Sequence, residues 1–184
     1  MRFALEGHGM NLINYNLSWH RKVVLIHDYF PHHVLADLDA MIATDAWETY
    51  PQAHRTAMPG ISGITHTYLN TLTRSHASTW AGAQLELSSW QLWQDREGMT
   101  YSKHTDLGLF AAPEYHIQIY LGQGDTSMGT CFYNNMFTRT PTIELSYTRN
   151  AGYFMSRPQL IYHSVAPVPQ AQCRLSVIAR YKHA

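Results

Sequence analysis

The stretch Thr100-Tyr-Ser-Lys-His-Thr-Asp-Leu107 decides how the rest of the chain is read. It lies among short apolar/polar alternations, and in extended chain residues i and i+2 face the same way. His104 and Asp106 would therefore present an imidazole and a carboxylate side by side, as two ligands of one metal ion. A solvated strand end is the ordinary explanation of His-x-Asp until partners are found.

Working outward, the C-terminal half reads as short strands separated by turn signals, at 84–95, 100–104, 114–121, 129–134, 141–148, 152–156, 159–165 and 173–182. Towards the N-terminus, Lys22 to His27 is a β-branched strand candidate. Val34, Leu38, Met41 and Ile42, with Leu35 beside them, predict an amphipathic helix over about 32–44. A loop with Pro51, Pro59 and Gly60 follows, then a weaker helical pattern over 64–82. No repeat or linker divides the chain. The expected fold class is α+β in one domain over 1–184. Its helical N-terminal part, about 1–82, would pack on one sheet of a cupin-like jelly-roll core, a double-stranded β-helix over about 84–182.

Composition bounds the function. The 184 residues carry 13 Lys+Arg against 13 Asp+Glu, a net charge of zero. Nucleic acid is disfavoured as a partner, because non-specific binding to it rests on surplus Lys and Arg. Only 14 % of residues are charged, against about 25 % in an average soluble domain; 12 His, 12 Tyr and 5 Trp take their place. Histidine is the commonest metal ligand, which makes its abundance the oddity to explain. A hydrophobic share of 45 % supports a sizeable core. Cys131 and Cys173 are too few for a disulfide framework. The longest apolar runs, Val23 to Ile26 and Leu109 to Ala112, fall far short of the roughly 20 residues of a membrane span. With no charged-then-apolar leader at the N-terminus, a soluble cytoplasmic protein is expected. Oligomeric state is not legible in these features.

Two further pieces belong with His104 and Asp106. His163, in Gln159-Leu-Ile-Tyr-His-Ser-Val165, lies 57 residues beyond the aspartate, room enough for antiparallel strands to return to the same place. Arg174 follows 11 residues later, with Ser176 on its strand face. An arginine among Val, Ile and Leu is costly unless an anion meets it, and its planar fork suits a carboxylate. A salt bridge to Asp106 or Glu144 is the structural alternative.

In this order, His-x-Asp, a distal His and Arg-x-Ser, the sequence resembles the Fe(II)/2-oxoglutarate-dependent dioxygenase superfamily, most of all its prolyl-4-hydroxylase-like branch. Two imidazoles and one carboxylate on one face leave three open metal positions, the arrangement of non-haem Fe(II) oxygenases. The likeness spans about 84–182. Tyr101 stands three residues before His104, as in the branch's Y-x-x-H-x-D segment, and Tyr120 matches a strand tyrosine that reaches the co-substrate in many relatives. Gly129-Thr-Cys-Phe-Tyr133 resembles the family's Gly-Gly-x-x-x-Phe strand, and Asn150-Ala-Gly-Tyr-Phe-Met-Ser156 the stretch before the distal histidine. Departures are Arg174 where collagen-type relatives often have Lys, and Met128-Gly129 in place of the double glycine. The spacing of Arg174 and Arg180 is shared with the alkylation-demethylase branch, although Ser176 and Ile178 differ there.

The resemblance implies that His104, Asp106 and His163 hold Fe(II) and serve catalysis. It implies that 2-oxoglutarate binds through Arg174, Ser176, Tyr120 and Tyr101, with Arg180 a candidate second carboxylate contact. O2 is the third reactant. The implied activity is hydroxylation of a small molecule or a peptide or protein side chain, with release of succinate and CO2; desaturation and ring closure stay open. The alternatives are a cupin-like metalloenzyme without 2-oxoglutarate and a non-catalytic jelly-roll binding module. Trp90, Trp93 and Tyr101 are candidates for the mouth of the site, although tryptophans at such spacing are more often core. Thr49 to Ile64 is a candidate lid or an ordinary loop. His116 alternates with Gln118 and Tyr120 and is expected to point inward. His8, His20, His27, His32, His33, His54, His66, His76 and His183 have no partnered spacing.

Overall fold

The last strand, β12 (Arg174–His183), shows how alternation becomes architecture. Arg174, Ile178 and Arg180 line a cavity on one side, while Val177, Ala179 and Tyr181 join an apolar layer on the other. The structure, a computed structural model, describes residues 10–18, 21–44, 46–50, 55–59, 63–106 and 115–184.

In chain order the described elements are β1 (Asn11–Ser18), β2 (Arg21–His27), α1 (His32–Ile42), β3 (Glu48–Tyr50), β4 (Arg55–Pro59) and α2 (Ile64–Tyr68). A π-helical turn (Leu69–Thr73) joins α2 to α3 (Arg74–Ala81). Then come β5 (Leu85–Asp95), β6 (Tyr101–His104), β7 (Tyr115–Tyr120), β8 (Thr130–Tyr133), β9 (Ile143–Leu145), β10 (Gly152–Ser156), β11 (Tyr162–Val165) and β12. An eight-stranded sheet has the order β1-β2-β10-β7-β12-β5-β4-β3, and a four-stranded sheet the order β6-β11-β8-β9. Neighbouring strands run antiparallel throughout.

The expectation of a helical N-terminal part over 1–82 is corrected. Four strands from this part, β1 to β4, extend both edges of the large sheet, with α1 between β2 and β3 and the α2–α3 run after β4. In β1 Asn14 and Asn16 interrupt Leu12, Ile13, Tyr15 and Leu17, a weak local strand signal, and pairing with the apolar β2 overrides it. In β4, Ala57 and Met58 are buried because the strand pairs with β5. The lid expectation for Thr49–Ile64 therefore meets strand at 55–59, while 51–54 and 60–62 lie outside the described residues.

Two apolar layers result. One face of the large sheet, through Val24, Ile26, Ile117, Phe154 and Tyr181, meets Val34, Leu38 and Met41 of α1 and Ala77 and Trp80 of α3. The spacing of those α1 residues makes one buried stripe, and Gly82, at φ 69°, ends α3 in the left-handed conformation that glycine adopts without a Cβ clash. The opposite face, through Val23, Leu25, Tyr120, Tyr153 and Met155, meets Phe132, Ile143 and Leu145 of the small sheet. From β5 to β12 the chain repeatedly crosses between the sheets, so polar residues at strand ends from both converge.

Candidate metal centre

Strand register, not proximity in sequence, builds the candidate site. β6 and β11 pair with His104 directly opposite His163, their ring centroids 4.4 Å apart. Asp106 follows just beyond β6, its backbone N–H donating to the Pro158 carbonyl at 3.4 Å. Its Oδ1 lies 3.7 Å from His104 Nε2 and 3.6 Å from His163 Nε2.

Those separations are too long for hydrogen bonds and suit three ligands around one ion, since metal–ligand bonds of about 2.1 Å span pairs up to about 4.2 Å apart. One donor atom from each of His104, Asp106 and His163 lies within 4.8 Å of the others. The imidazole tautomers fit as well. His104 Nδ1 is 2.7 Å from the Ser102 carbonyl and His163 Nδ1 is 3.0 Å from that of Ile161. A carbonyl only accepts, so both Nδ1 atoms carry the proton and both Nε2 lone pairs face Asp106. Burial pushes the His163 pKa below its ordinary value, against the opposing pull of Asp106, and keeps the ring neutral as a ligand. The donor set of two neutral imidazoles and a carboxylate fits a divalent first-row metal.

Beside this trio is a cavity of about 160 Å³, lined among others by Arg55, Trp93, Tyr101, His116, Arg174 and Arg180. Arg174 is 1 % exposed. Its Nε and Nη2 donate to Asp95 Oδ2 at 2.9 and 2.5 Å, and its Nη1 donates to the Met128 carbonyl at 3.0 Å. Burial opposes the charge, the Asp95 carboxylate more than offsets this, and the pKa stands above the ordinary arginine value. The buried partner is thus Asp95, not Asp106 or Glu144. On its other side Asp95 accepts from Arg55 Nε, because Arg55, Asp95 and Arg174 are register neighbours across β4, β5 and β12. Four of the five guanidinium N–H of Arg174 are committed, to Asp95, the Met128 carbonyl and Met99 Sδ, which leaves one, on Nη1, for a ligand.

The other expected contacts stand around this pair. Ser176 Oγ accepts from Gln118 Nε2 at 3.0 Å, and Gln118 Oε1 accepts from Tyr153 Oη at 2.7 Å. Tyr120, fully buried, bonds Thr130 Oγ1 at 2.6 Å, and burial pushes its pKa up to about 12. Ser176 and Tyr120 lie behind the cavity wall, whereas Tyr101 lines the cavity at 37 % exposure, its ring 5.0 Å from His104. Arg180 lines the cavity too and donates to Gln91 Oε1 at 3.2 Å. His116 points inward as expected, its Nδ1 4.0 Å from Asp106 Oδ2.

Trp90 belongs to the core and donates to His66 Nδ1, while Trp93 faces the cavity. His76 and His183 likewise meet tyrosines, Tyr29 and Tyr115; His8, His20 and His54 lie outside the described residues. Sequence reading missed Arg55 and Asp95. The one local hint was an acidic residue ending a strand two positions after Trp93.

No family model matches the chain, and no curated protein matches it. Solved structures do. An oxidoreductase of the 2OG-Fe(II) oxygenase family from Burkholderia pseudomallei has a TM-score of 0.68 at 18 % identity, over 87 % of this chain and 84 % of that one. A prolyl-4-hydroxylase from Pseudomonas putida has a TM-score of 0.64 at 12 % identity, over 96 % and 94 %. HygX from Streptomyces hygroscopicus, with nickel, 2-oxoglutarate and hygromycin B bound, has a TM-score of 0.61 at 11 % identity, over 88 % and 83 %. The fold is that of the 2OG-Fe(II) oxygenases.

Proposed function

We propose that this chain is an Fe(II)- and 2-oxoglutarate-dependent dioxygenase, a single domain over 1–184 whose sheet-to-sheet winding is a double-stranded β-helix. The observation that carries the reading is the trio His104, Asp106 and His163 with both Nε2 atoms turned to one point, next to a buried guanidinium. Similar folds support it, among them one with nickel and 2-oxoglutarate bound.

When bound at this trio, iron supplies the oxidising chemistry, in which O2 and 2-oxoglutarate yield succinate, CO2 and a hydroxylated product. The protein's part is holding and orienting. His104 and His163 offer neutral nitrogens fixed by backbone carbonyls, and Asp106 offers the single ligating charge. Arg174 meets the distal carboxylate of 2-oxoglutarate with its remaining Nη1 N–H and its charge, and Asp95 locks the guanidinium so that it does not swing. Ser176 and Tyr120 stiffen the wall behind it. Tyr101 covers the metal-side mouth, and Arg180 is a second carboxylate contact.

The prime substrate is a small molecule or a peptide or protein side chain; that HygX, of similar fold, has hygromycin B bound supports the first. Neutral net charge argues against nucleic acid. The two cysteines are free thiols, which fits a cytoplasmic setting, and among the described residues no helix is long and apolar enough to cross a membrane. One observation favours a cupin-like metalloenzyme without 2-oxoglutarate as second reading: Asp95 already neutralises Arg174, so the arginine does not require a co-substrate.

The test is anaerobic titration of the folded protein with Fe(II) and 2-oxoglutarate, followed by their metal-to-ligand charge-transfer band, then succinate formation on admitting air. Both signals are expected. Absence of both in folded, metal-loaded protein overturns the dioxygenase reading, and a band without succinate points to a binding module.

A further inference from the structure

Asp106 reaches the candidate metal centre from beyond the end of β6, its backbone tied by one long hydrogen bond to the Pro158 carbonyl and its side chain 20 % exposed. Three imidazole nitrogens stand around its carboxylate. Two of them, Nε2 of His104 and Nε2 of His163, turn lone pairs towards Oδ1. The third, His116 Nδ1, stands 4.0 Å from the other oxygen, Oδ2. His116 is not among the residues whose donor atoms gather within 4.8 Å of one another, so it faces the back of the carboxylate and not the metal position.

His116 is firmly placed for that task. It lies on β7, between β10 and β12 inside the large sheet, with Met155 and Arg180 as its register neighbours. It is 8 % exposed, its ring centroid 5.4 Å from that of Tyr153. The position of its proton follows from its surroundings. Nε2 is buried and has no hydrogen-bond partner among the described residues. A proton on Nε2 would leave that N–H without an acceptor and turn the Nδ1 lone pair against a carboxylate oxygen. A proton on Nδ1 leaves only a lone pair unmet and points the N–H at an anion. A doubly protonated ring would bury the same orphaned N–H, beside the Arg180 strand neighbour. For packing alone an apolar ring would serve better here, because the buried Nε2 gains nothing.

We propose that His116 is the positioning residue of the Asp106 carboxylate: its Nδ1–H holds Oδ2, so that Oδ1 alone is offered to the metal. A carboxylate bound through both oxygens would take one of the three positions that the co-substrate and O2 use in such a centre. At 4.0 Å the contact is about 1 Å longer than a hydrogen bond, and in catalytic sites such bonds are commonly long until every ligand is in place. A neutral donor fixes the carboxylate without cancelling the charge that the metal requires, as a lysine would. Arg180, whose guanidinium also senses Asp106, adds charge to the same side but donates to Gln91. The inference rests on the dioxygenase reading for the use of the open positions, while the grip on the metal is measured without co-substrate.

The experiment measures Co(II) affinity by equilibrium dialysis, Co(II) being an air-stable substitute for Fe(II), together with thermal unfolding of the metal-free protein. His116→Phe, and His116→Leu as a smaller apolar replacement in case the first does not fold, should bind Co(II) about 10–100-fold less tightly than wild type. Their Tm should equal or exceed that of wild type, since a buried unpaired nitrogen has been removed. His116→Asn, whose Nδ2 amide replaces Nδ1 as donor, should keep Co(II) affinity within about threefold of wild type. Equal affinity in wild type and the apolar variants overturns the proposal and assigns the carboxylate to Arg180. So does an affinity loss that His116→Asn shares and that follows a lowered Tm, the mark of a merely structural residue. A wild type that takes up no Co(II) overturns the metal centre and this role together. If Co(II) binds but the charge-transfer band with Fe(II) and 2-oxoglutarate never forms, the dioxygenase reading fails by itself, and the dialysis still decides the role of His116.

Discussion

Replacing Asp95 with Asn removes the only charge of a side chain that is fully buried between Arg55 and Arg174. Unit charges about 4 Å apart in a medium of effective dielectric about 20 attract by about 4 kcal/mol, and breaking a buried pair from one side typically costs about 3–5 kcal/mol. The asparagine keeps an acceptor oxygen for Arg174, which places the expected loss near the lower end, about 3 kcal/mol. In a chain of this length that lowers Tm by roughly 6–12 °C. Urea denaturation of wild type and Asp95→Asn measures the loss directly. A cycle with Arg174→Met then isolates the pairing, because the two changes should be non-additive by more than about 1 kcal/mol. Since Asp95 also aims Arg174, Asp95→Asn should weaken 2-oxoglutarate binding without changing Fe(II) affinity. A loss below about 1 kcal/mol with additive effects would refute the bridge as the support of Arg174.

Further outcomes follow from the same geometry. His104→Ala and Asp106→Ala, both at partly exposed positions, should abolish Fe(II) binding in equilibrium dialysis while changing unfolding free energy by less than about 1 kcal/mol; Arg174→Ala should retain iron and lose 2-oxoglutarate, and equal iron affinity in all three variants would refute the roles. Gly129→Ala would put a Cβ 1.7 Å from the Leu145 carbonyl oxygen, so the β8–β9 pairing must shift; denaturation should show a loss of about 1–3 kcal/mol. Burial lowers the His76 pKa, so the folded state disfavours its charged form. Its contribution is complete above the ordinary value of 6.5 and is lost as pH falls from there through the lowered folded value; His76→Gln should flatten that part of the stability–pH curve.

Local pattern carried far into this protein. The eight strand candidates from 84 to 182 correspond to β5 through β12, and the helical spacings at 32–44 and 64–82 to α1 and the α2–α3 run, because period two and period 3.6 are properties of a few consecutive residues. One strand hid an irregularity. In β5 the apolar positions change parity between Leu87 and Trp90, at a register shift opposite Arg180 and Tyr181, which turns Trp90 to the core and Trp93 to the cavity. β1, β3 and β4 were not legible, since asparagines, prolines and short length weaken their pattern and only sheet partners make them strands.

The sequence by itself determined the types of the chemical groups and their order: His104 and Asp106 two apart on extended chain, His163 after room for the chain to return, Arg174 on the last strand with Ser176 on its face. What only the tertiary structure decided is who meets whom. That β6 pairs with β11 so that His104 faces His163, and that β4, β5 and β12 align Arg55, Asp95 and Arg174 in one row, are facts of register between residues tens of positions apart. A one-residue slip would turn each of these side chains to the other face. Register is chosen by burying both apolar faces of the large sheet together, a cooperative condition that no short stretch of sequence contains.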